Sequence, residues 1–353
     1  MRTSRALQRA SEWDDDRHKS GQSGLYQLHL GDSFRWLQER AENSIHAIVT
    51  DPPYGLKEYT DKEKLKLRKG RGGVWRIPPS FDGCKRSPLP RFTVLGDEDI
   101  AALVKFFREF AARAIRVLVP GAHVVIATNP LLSQYVYMAL IGAGFEKRGE
   151  IIRLIQTLRG GDRPKNAHKE FQDVSVMPRS AWEPWGLFRK PCEGRVQDNL
   201  RKWGTGGMRR ISSDAPFVDV IASAPARGEE RRIAPHPSLK PQAFLRQIVR
   251  AALPLGKGIV LDPFMGSGST IAAATSLDYK SIGIEMDPAY YSIASTAVSE
   301  LARFTPNGTH DRSKGTHRSA KRFRAGSHQE SSFVRREGNS GPDRPLFGAS
   351  QRL

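Results

Sequence analysis

Short apolar runs alternate with amphipathic stretches along most of this 353-residue chain. That alternation restricts the fold more than any other feature, because parallel strands need a long crossover between them, usually a helix. Strand-like runs lie at residues 25–30, 45–50, 123–128, 151–157, 173–177, 258–261 and 280–285. In residues 97–118 the positions Ile100, Leu103, Phe107, Ala111, Ala114 and Leu118 recur at helical spacing, and Pro120-Gly121 is expected to stop that helix. Residues 240–253 put Phe244, Ile248, Val249 and Ala252 on one face, and residues 270–277 form a short, Ala-rich stretch. Residues 288–302 follow the last strong strand run, with Pro288 suited to a first helical position. The pattern predicts an α/β fold, a parallel sheet flanked by helices.

Two segments break the alternation. Residues 57–91 hold 11 Lys or Arg against 4 Asp or Glu and read as a long basic loop. Residues 160–233 are loop-rich and mix Arg with Trp182, Trp185, Phe188 and Trp203. Insertions of this length in a compact domain are usually functional or disordered. Residues 1–24 are polar and aperiodic, as expected of a flexible arm. Residues 303–353 hold 11 Lys or Arg against 4 acids and few aliphatics, too little apolar surface to offset ordering entropy. They read as a basic, disordered tail: either a solvated end or a phosphate-binding arm. The catalytic part is therefore expected over residues 25–302. No internal repeat is visible.

Composition narrows the function. The formal net charge of +19, from 56 Lys and Arg against 37 Asp and Glu, favours a polyanionic partner, nucleic acid first. No apolar run is long enough for a membrane span, and the first residues lack the apolar core of a signal peptide. A cytoplasmic protein without membrane partners is expected. Cys84 and Cys192 are not in a CxxC pair, which argues against a disulfide framework or a Cys-based zinc site. His168 and His236 have no partner at ligand spacing, so no metal is expected.

Two stretches carry chemistry. In IVTDPPYG an apolar strand ends in Asp51-Pro52-Pro53-Tyr54. The two prolines stiffen the backbone and remove two N–H donors, leaving carbonyls free. An acid beside a fixed carbonyl can accept two hydrogen bonds from one amino group, and the Tyr54 ring can stack on a flat heterocycle. The alternative is a strand cap followed by a rigid turn. In IVLDPFMGSGST a strand runs into a Gly-rich turn and a helix. Gly266 and Gly268 permit close backbone approach to a ligand. The turn fits neither the dinucleotide fingerprint nor a phosphate loop. Glu285 ends the next strand run, 17 residues after Gly268, where a carboxylate can bind ribose hydroxyls. The alternative is a turn required by fold geometry alone.

DPPY, DPFMGSGST and the HPSLKP at residues 236–241 together resemble the S-adenosylmethionine-dependent amino methyltransferases of DNA. The catalytic motif precedes the cofactor motif by 211 residues, Asp51 to Asp262, an order that resembles the beta group of that family. The resemblance covers residues 25–302. It implies a doubly wound, Rossmann-like methyltransferase sheet with circularly permuted motif order and S-adenosyl-L-methionine as cofactor. It also implies that Asp51, Pro52, Pro53 and Tyr54 form the catalytic tetrapeptide, with the acid and the first proline's carbonyl holding the target amine and the tyrosine stacking on a flipped base. Asp262, Phe264, Gly266 and Gly268 match the cofactor turn, Ser269 and Thr270 the approach to the methionine end, and Glu285 the ribose-binding acid. Asp32, in LHLGDS, resembles the acid near the adenine amino group, and Ser238 and Lys240 the residues beside the methionine moiety.

The implied substrate is double-stranded DNA, and residues 160–233 occupy the place of the family's target-recognition segment. Arg159, Arg163, Lys165, Arg179, Arg189, Lys190, Arg195, Arg201, Lys202, Arg209 and Arg210 are candidates there for phosphate or guanine contacts, with solvated surface charge as the alternative. A homodimer is compatible with the sequence. Adenine N6 is the expected target, because a serine commonly replaces the first Asp in cytosine-N4 members. Cytosine N4, RNA, and a non-catalytic DNA-binding relic are the alternatives.

Overall fold

A computed structural model of the chain describes residues 24–53, 96–155, 163–164, 166–178, 180–226, 228–236 and 238–306. Nearly all of the expected arm 1–24, the basic loop 57–91, Tyr54, and the tail beyond Pro306 lie outside the described residues.

Eight strands form one sheet: β1 Tyr26–Leu30, β2 Ile45–Thr50, β3 Leu118–Ala127, β4 Glu146–Leu154, β5 Trp182–Arg189, β6 Val220–Ala222, β7 Ile259–Asp262 and β8 Lys280–Glu285. Their spatial order is β1-β8-β7-β2-β3-β5-β4-β6. Every neighbouring pair is parallel except the two made by β5, which runs against both β3 and β4.

The helices are α1 Ser33–Glu39, α2 Asp97–Val117, α3 Ser133–Gly142, α4 Val196–Trp203, α5 Glu229–Ile233, α6 Gln242–Ala252, α7 Ser269–Thr275 and α8 Pro288–Arg303. Side chains alternate across the sheet and divide its core into two layers. Ile48, Val124, Ile126 and Phe188 pack with Phe107, Phe110 and Ala114 of α2 and with Leu140 of α3. Val49, Val125, Ala127 and Trp185 pack with Phe244, Ile248 and Val249 of α6. Tyr26 and Leu28 pack with Ile271 of α7 and with Ala294, Val298 and Leu301 of α8. The doubly wound α/β sheet expected from the sequence is therefore present.

Four expectations need correction. Residues 173–177 form turns and bends, not a strand; Val174 and Val176 are exposed there, and among the described residues no strand pairs with them. Pro120-Gly121 does not follow α2 as a loop; it lies inside β3, which begins directly at Leu118. The irregular pairing there is satisfied from outside the sheet. Pro120 O accepts from Asn199 Nδ2 at 3.0 Å and from Thr205 Oγ1 at 2.6 Å, and Gly121, at φ +77°, is crowded by Asn199 and Gly206. The strand run expected at 151–157 starts earlier, at Glu146, and ends at Leu154. Within 160–233, β5 is an internal strand of the sheet, with Trp185 and Phe188 fully buried.

Candidate active site

Parallel α/β sheets bind ligands beyond the carboxyl ends of their strands. Here that edge gathers, from adjacent strands, Asp32 just after β1, Glu285 at the end of β8, Asp262 at the end of β7 and Asp51 just after β2. The two sequence motifs, far apart in the chain, are neighbours because β2 pairs with β7, Ile48 opposite Leu261. Thr50 Oγ1 donates to Asp262 Oδ1 at 2.7 Å and joins them directly.

Asp262 is enclosed. Phe264 N donates to its Oδ1 at 3.1 Å, and Thr270 also bonds the carboxyl. Burial pushes its pKa up to about 7, against the hydrogen bonds that favour its ionised form, and the nearby Asp51 adds to the rise. Phe264 packs its ring against Phe106 and Phe110, with centroids 5.8 Å and 5.5 Å away.

The glycine turn then closes on Glu285. Gly266 N donates to Glu285 Oε2 at 2.9 Å, and Asp287 N donates to Oε1 at 2.8 Å. Each carboxylate oxygen keeps a second lone pair for a hydroxyl donor. Gly266 sits at φ +53°, and a Cβ on it would lie 3.2 Å from His236 Nε2. Gly268, at φ +83°, is crowded differently: a Cβ there would run into Val298 of α8. Gly266 keeps open the space under His236, whereas Gly268 lets α7 and α8 meet. Ser269 and Thr270, both buried, start α7, and Gln242 Nε2 donates to Ser269 O at 2.8 Å.

Sequence context does not single out His236 as a site residue, yet its ring covers the turn. It meets Tyr290 edge-on at 4.4 Å. Burial, with Lys240 and Arg231 nearby, drops its pKa to about 4, so the ring is neutral at neutral pH. Ser238 N donates to its Nδ1 at 3.2 Å, which leaves the ring proton on Nε2, toward the turn. Ser238 thereby takes its place through its backbone.

Asp32 is the N-cap of α1, its Oδ1 accepting from Phe34 N at 2.6 Å and Arg35 N at 2.9 Å. Gly31 N donates to Glu285 O at 2.9 Å, which places Asp32 beside the end of β8.

Beside Asp51 stands Lys240, its Nζ 2.6 Å from Asp51 Oδ2 and 3.6 Å from Glu183 Oε1. Glu183 lies on β5, which runs against its neighbours and so begins at the same edge of the sheet. Arg153 Nη1 lies 3.4 Å from Glu183 Oε2, and Trp185 Nε1 donates to Glu183 Oε1 at 2.8 Å. Burial works to raise the Glu183 pKa, but Lys240 and Arg153 outweigh it and hold the carboxyl below its usual range. Pro52 is buried and Pro53 exposed. The geometry thus brings together Asp51, Pro52, Asp262, Gly266, Glu285 and Lys240, and adds Glu183 and His236. Among the described residues no group of His, Cys, Asp and Glu could hold a metal, and no helix is long and apolar enough to cross a membrane.

Several cations of the 160–233 segment are committed to the fold. Arg189 is buried, donating to Glu146 Oε2 at 2.6 Å and 2.9 Å, and Lys190 Nζ donates to Leu118 O at 2.7 Å. Arg195 and Arg201 pair with Asp198 and remain on the surface. Arg209 Nη1 donates to Tyr279 OH at 2.6 Å. Arg159, Lys165 and Arg179 lie outside the described residues.

A cofactor with a ribose and an extended amino-acid arm fits this edge: a carboxylate with open lone pairs at the end of β8, a turn whose Cβ-less Gly266 leaves room under His236, and an aromatic ring at Phe264. Comparison with known proteins agrees. The profile of the N6/N4 DNA methylase family matches residues 45–296. The chain is 25% identical over 293 residues to the type II methyltransferase M.HindIII of Haemophilus influenzae, covering 76% of this chain and 93% of that one. It is 32% identical over 263 residues to M2.DpnII of Streptococcus pneumoniae, covering 74% of this chain and 85% of that one. Its fold is similar to that of a Thermus thermophilus methylase solved with S-adenosyl-L-methionine (TM-score 0.51, 20% identity, 79% of this chain and 95% of the other). It is similar too to the cytosine-N4-specific PvuII methyltransferase (TM-score 0.52, 14% identity, 79% and 91%). Motifs, sheet order and family match agree, and the chain belongs to the N6/N4 family of DNA methylases, S-adenosylmethionine-dependent DNA methyltransferases.

Proposed function

We propose that the protein methylates the exocyclic N6 of adenine at a specific sequence in double-stranded DNA. The observation that carries this reading is Asp51. It stands at the carboxyl end of β2, next to the strand that bears the cofactor turn, and its position is held by acid in a family whose cytosine-N4 members commonly carry serine.

An exocyclic amine is a weak nucleophile because its lone pair is delocalised into the ring. Asp51 and the Pro52 carbonyl accept its two protons as hydrogen bonds, favour a pyramidal nitrogen and aim the lone pair. The Asp51 carboxylate also stabilises the positive charge that grows on that nitrogen. S-adenosylmethionine, when bound, supplies an activated methyl. Glu285 would hold its ribose hydroxyls, Phe264 would offer a face to its flat ring, and the Gly266 turn with Ser269, Thr270 and Ser238 would receive its amino-acid end. The target base lies inside a duplex and must be flipped out, at a cost of a few kcal/mol that stacking on Tyr54 offsets in part. Recognition of the surrounding sequence falls to the exposed cations of residues 160–233, Arg195, Arg201 and Arg210 among them.

The test is transfer of label from S-adenosylmethionine to unmethylated duplex DNA, with RNA in parallel and the product nucleoside identified by mass. N6-methyladenine is the expected product. N4-methylcytosine would overturn the choice of base, and label in RNA alone would overturn the substrate.

A further inference from the structure

Lys240 is committed to two carboxylates at once. Its ammonium lies 2.6 Å from Asp51 Oδ2 and 3.6 Å from Glu183 Oε1, in a side chain only 10% exposed. The opposite charges balance: Asp51 and Glu183 against Lys240 and Arg153. Desolvated charges persist only in such compensated sets.

Glu183 is the fixed member of the set. Arg153 stands directly opposite it on β4, and Trp185 Nε1 ties the oxygen that faces Lys240. Trp185 in turn packs on Phe244, ring centroids 5.3 Å apart, and the Arg153 guanidinium lies over the same ring at 5.4 Å. Phe244 belongs to α6, which starts two residues after Lys240. The whole chain of contacts thus sets where the ammonium can go.

An amine that donates to Asp51 competes with that ammonium. An untethered lysine would face both carboxylate oxygens and obstruct the substrate. We propose that Glu183 is a positioning residue: it anchors the Lys240 ammonium at Oδ2 of Asp51 and so fixes how the Asp51 carboxylate is presented to the target amine. This rests on the assignment of Asp51 as the acid that holds that amine. Glu183 acts through Lys240.

The experiment compares E183Q, K240M, E183Q/K240M, E183D and D51N in the full-length chain. Methyl transfer to duplex DNA is read as kcat and as KM for DNA, with S-adenosylmethionine affinity and thermal unfolding measured alongside. E183Q is expected to lower kcat at least about tenfold while cofactor affinity changes less than about threefold. E183Q/K240M is expected to be no slower than K240M alone, because the two residues act as one unit. E183D, which keeps the charge but retracts it, should fall between wild type and E183Q. A kcat for E183Q within about threefold of wild type overturns the proposal, as do losses that multiply in the double variant. Should E183Q not fold, a wild-type rate in E183D overturns it instead. D51N separates the premise from the proposal. An active D51N removes the role of Asp51 itself, whereas an inactive D51N with a fully active E183Q removes only that of Glu183.

Discussion

Thr50, the last residue of β2, donates its hydroxyl to Asp262, the last residue of β7, at 2.7 Å. This bond ties the strand end that leads into Asp51-Pro52 to the strand end that leads into the glycine turn, inside the protein, where Asp262 is fully enclosed. An acid whose folded-state pKa is raised from 3.8 to about 7 holds its proton more tightly in the folded chain than in the unfolded one. The folded state is therefore increasingly penalised as pH rises from about 4 to about 7, and the penalty is constant above that. Asp262→Asn keeps an acceptor for Thr50 and Phe264 but has no charge to bury. Relative to wild type it should gain about 2–4 kcal/mol between pH 4 and pH 8, read from urea denaturation at the two pH values. Equal differences at both would show that Asp262 titrates as an ordinary carboxylate.

Asp51→Ala should abolish methyl transfer and leave S-adenosylmethionine affinity largely intact. Retention of more than about a tenth of the activity, a loss under roughly 1.4 kcal/mol, contradicts the role given to Asp51.

The two glycines of the turn should fail in different ways. Gly266→Leu places a side chain against His236, beside the proposed cofactor turn, and should weaken cofactor affinity by at least about tenfold, with about 1–2 kcal/mol of stability lost to the left-handed backbone it shares with Gly268. Gly268→Ala meets Val298 and keeps a left-handed backbone that alanine resists, so it should lower stability by about 1–3 kcal/mol. Titration calorimetry with S-adenosylmethionine, set beside thermal unfolding, distinguishes them. The same profile in both variants would erase the division of labour.

Phe244 is shared by the Trp185 and Arg153 contacts and is buried within the α6 layer. Phe244→Ala should cost about 3–5 kcal/mol in denaturant unfolding. A cost under about 1 kcal/mol would mean that the layer repacks around the gap.

The parts of the fold that could be read in advance are those where a local pattern and a chemical motif coincide. β2 is an apolar run that leads into Asp51, β7 and β8 are apolar runs that end in Asp262 and Glu285, and their positions come out within a residue. α2 is legible because its buried face repeats at helical spacing over about six turns of chain. β5 is not. Pro184 and Gly186 interrupt its pattern, and its right to the sheet comes from β3 and β4 on either side, which no local window contains. Glu183 is hidden with it. Lys240 could be found from HPSLKP, but the resemblance places it beside the cofactor and gives no hint of its ion pairs with Asp51 and Glu183. Residues 173–177 mislead in the opposite sense: their alternation is genuine, and among the described residues no partner strand lies beside it. α1 spans only seven residues, too few for periodicity to register.

The pairing of β2 with β7 has a consequence for synthesis. Half of the site leaves the ribosome with Asp51, but its neighbours Asp262 and Glu285 follow more than 200 residues later. At about 5–20 residues per second, the early half waits on the order of ten seconds or more, with the flank of β2 that β7 will cover still bare. A nascent chain cannot assemble the proposed methyl-donor site during that interval, so on that reading the protein becomes competent only when β7 and β8 have been made.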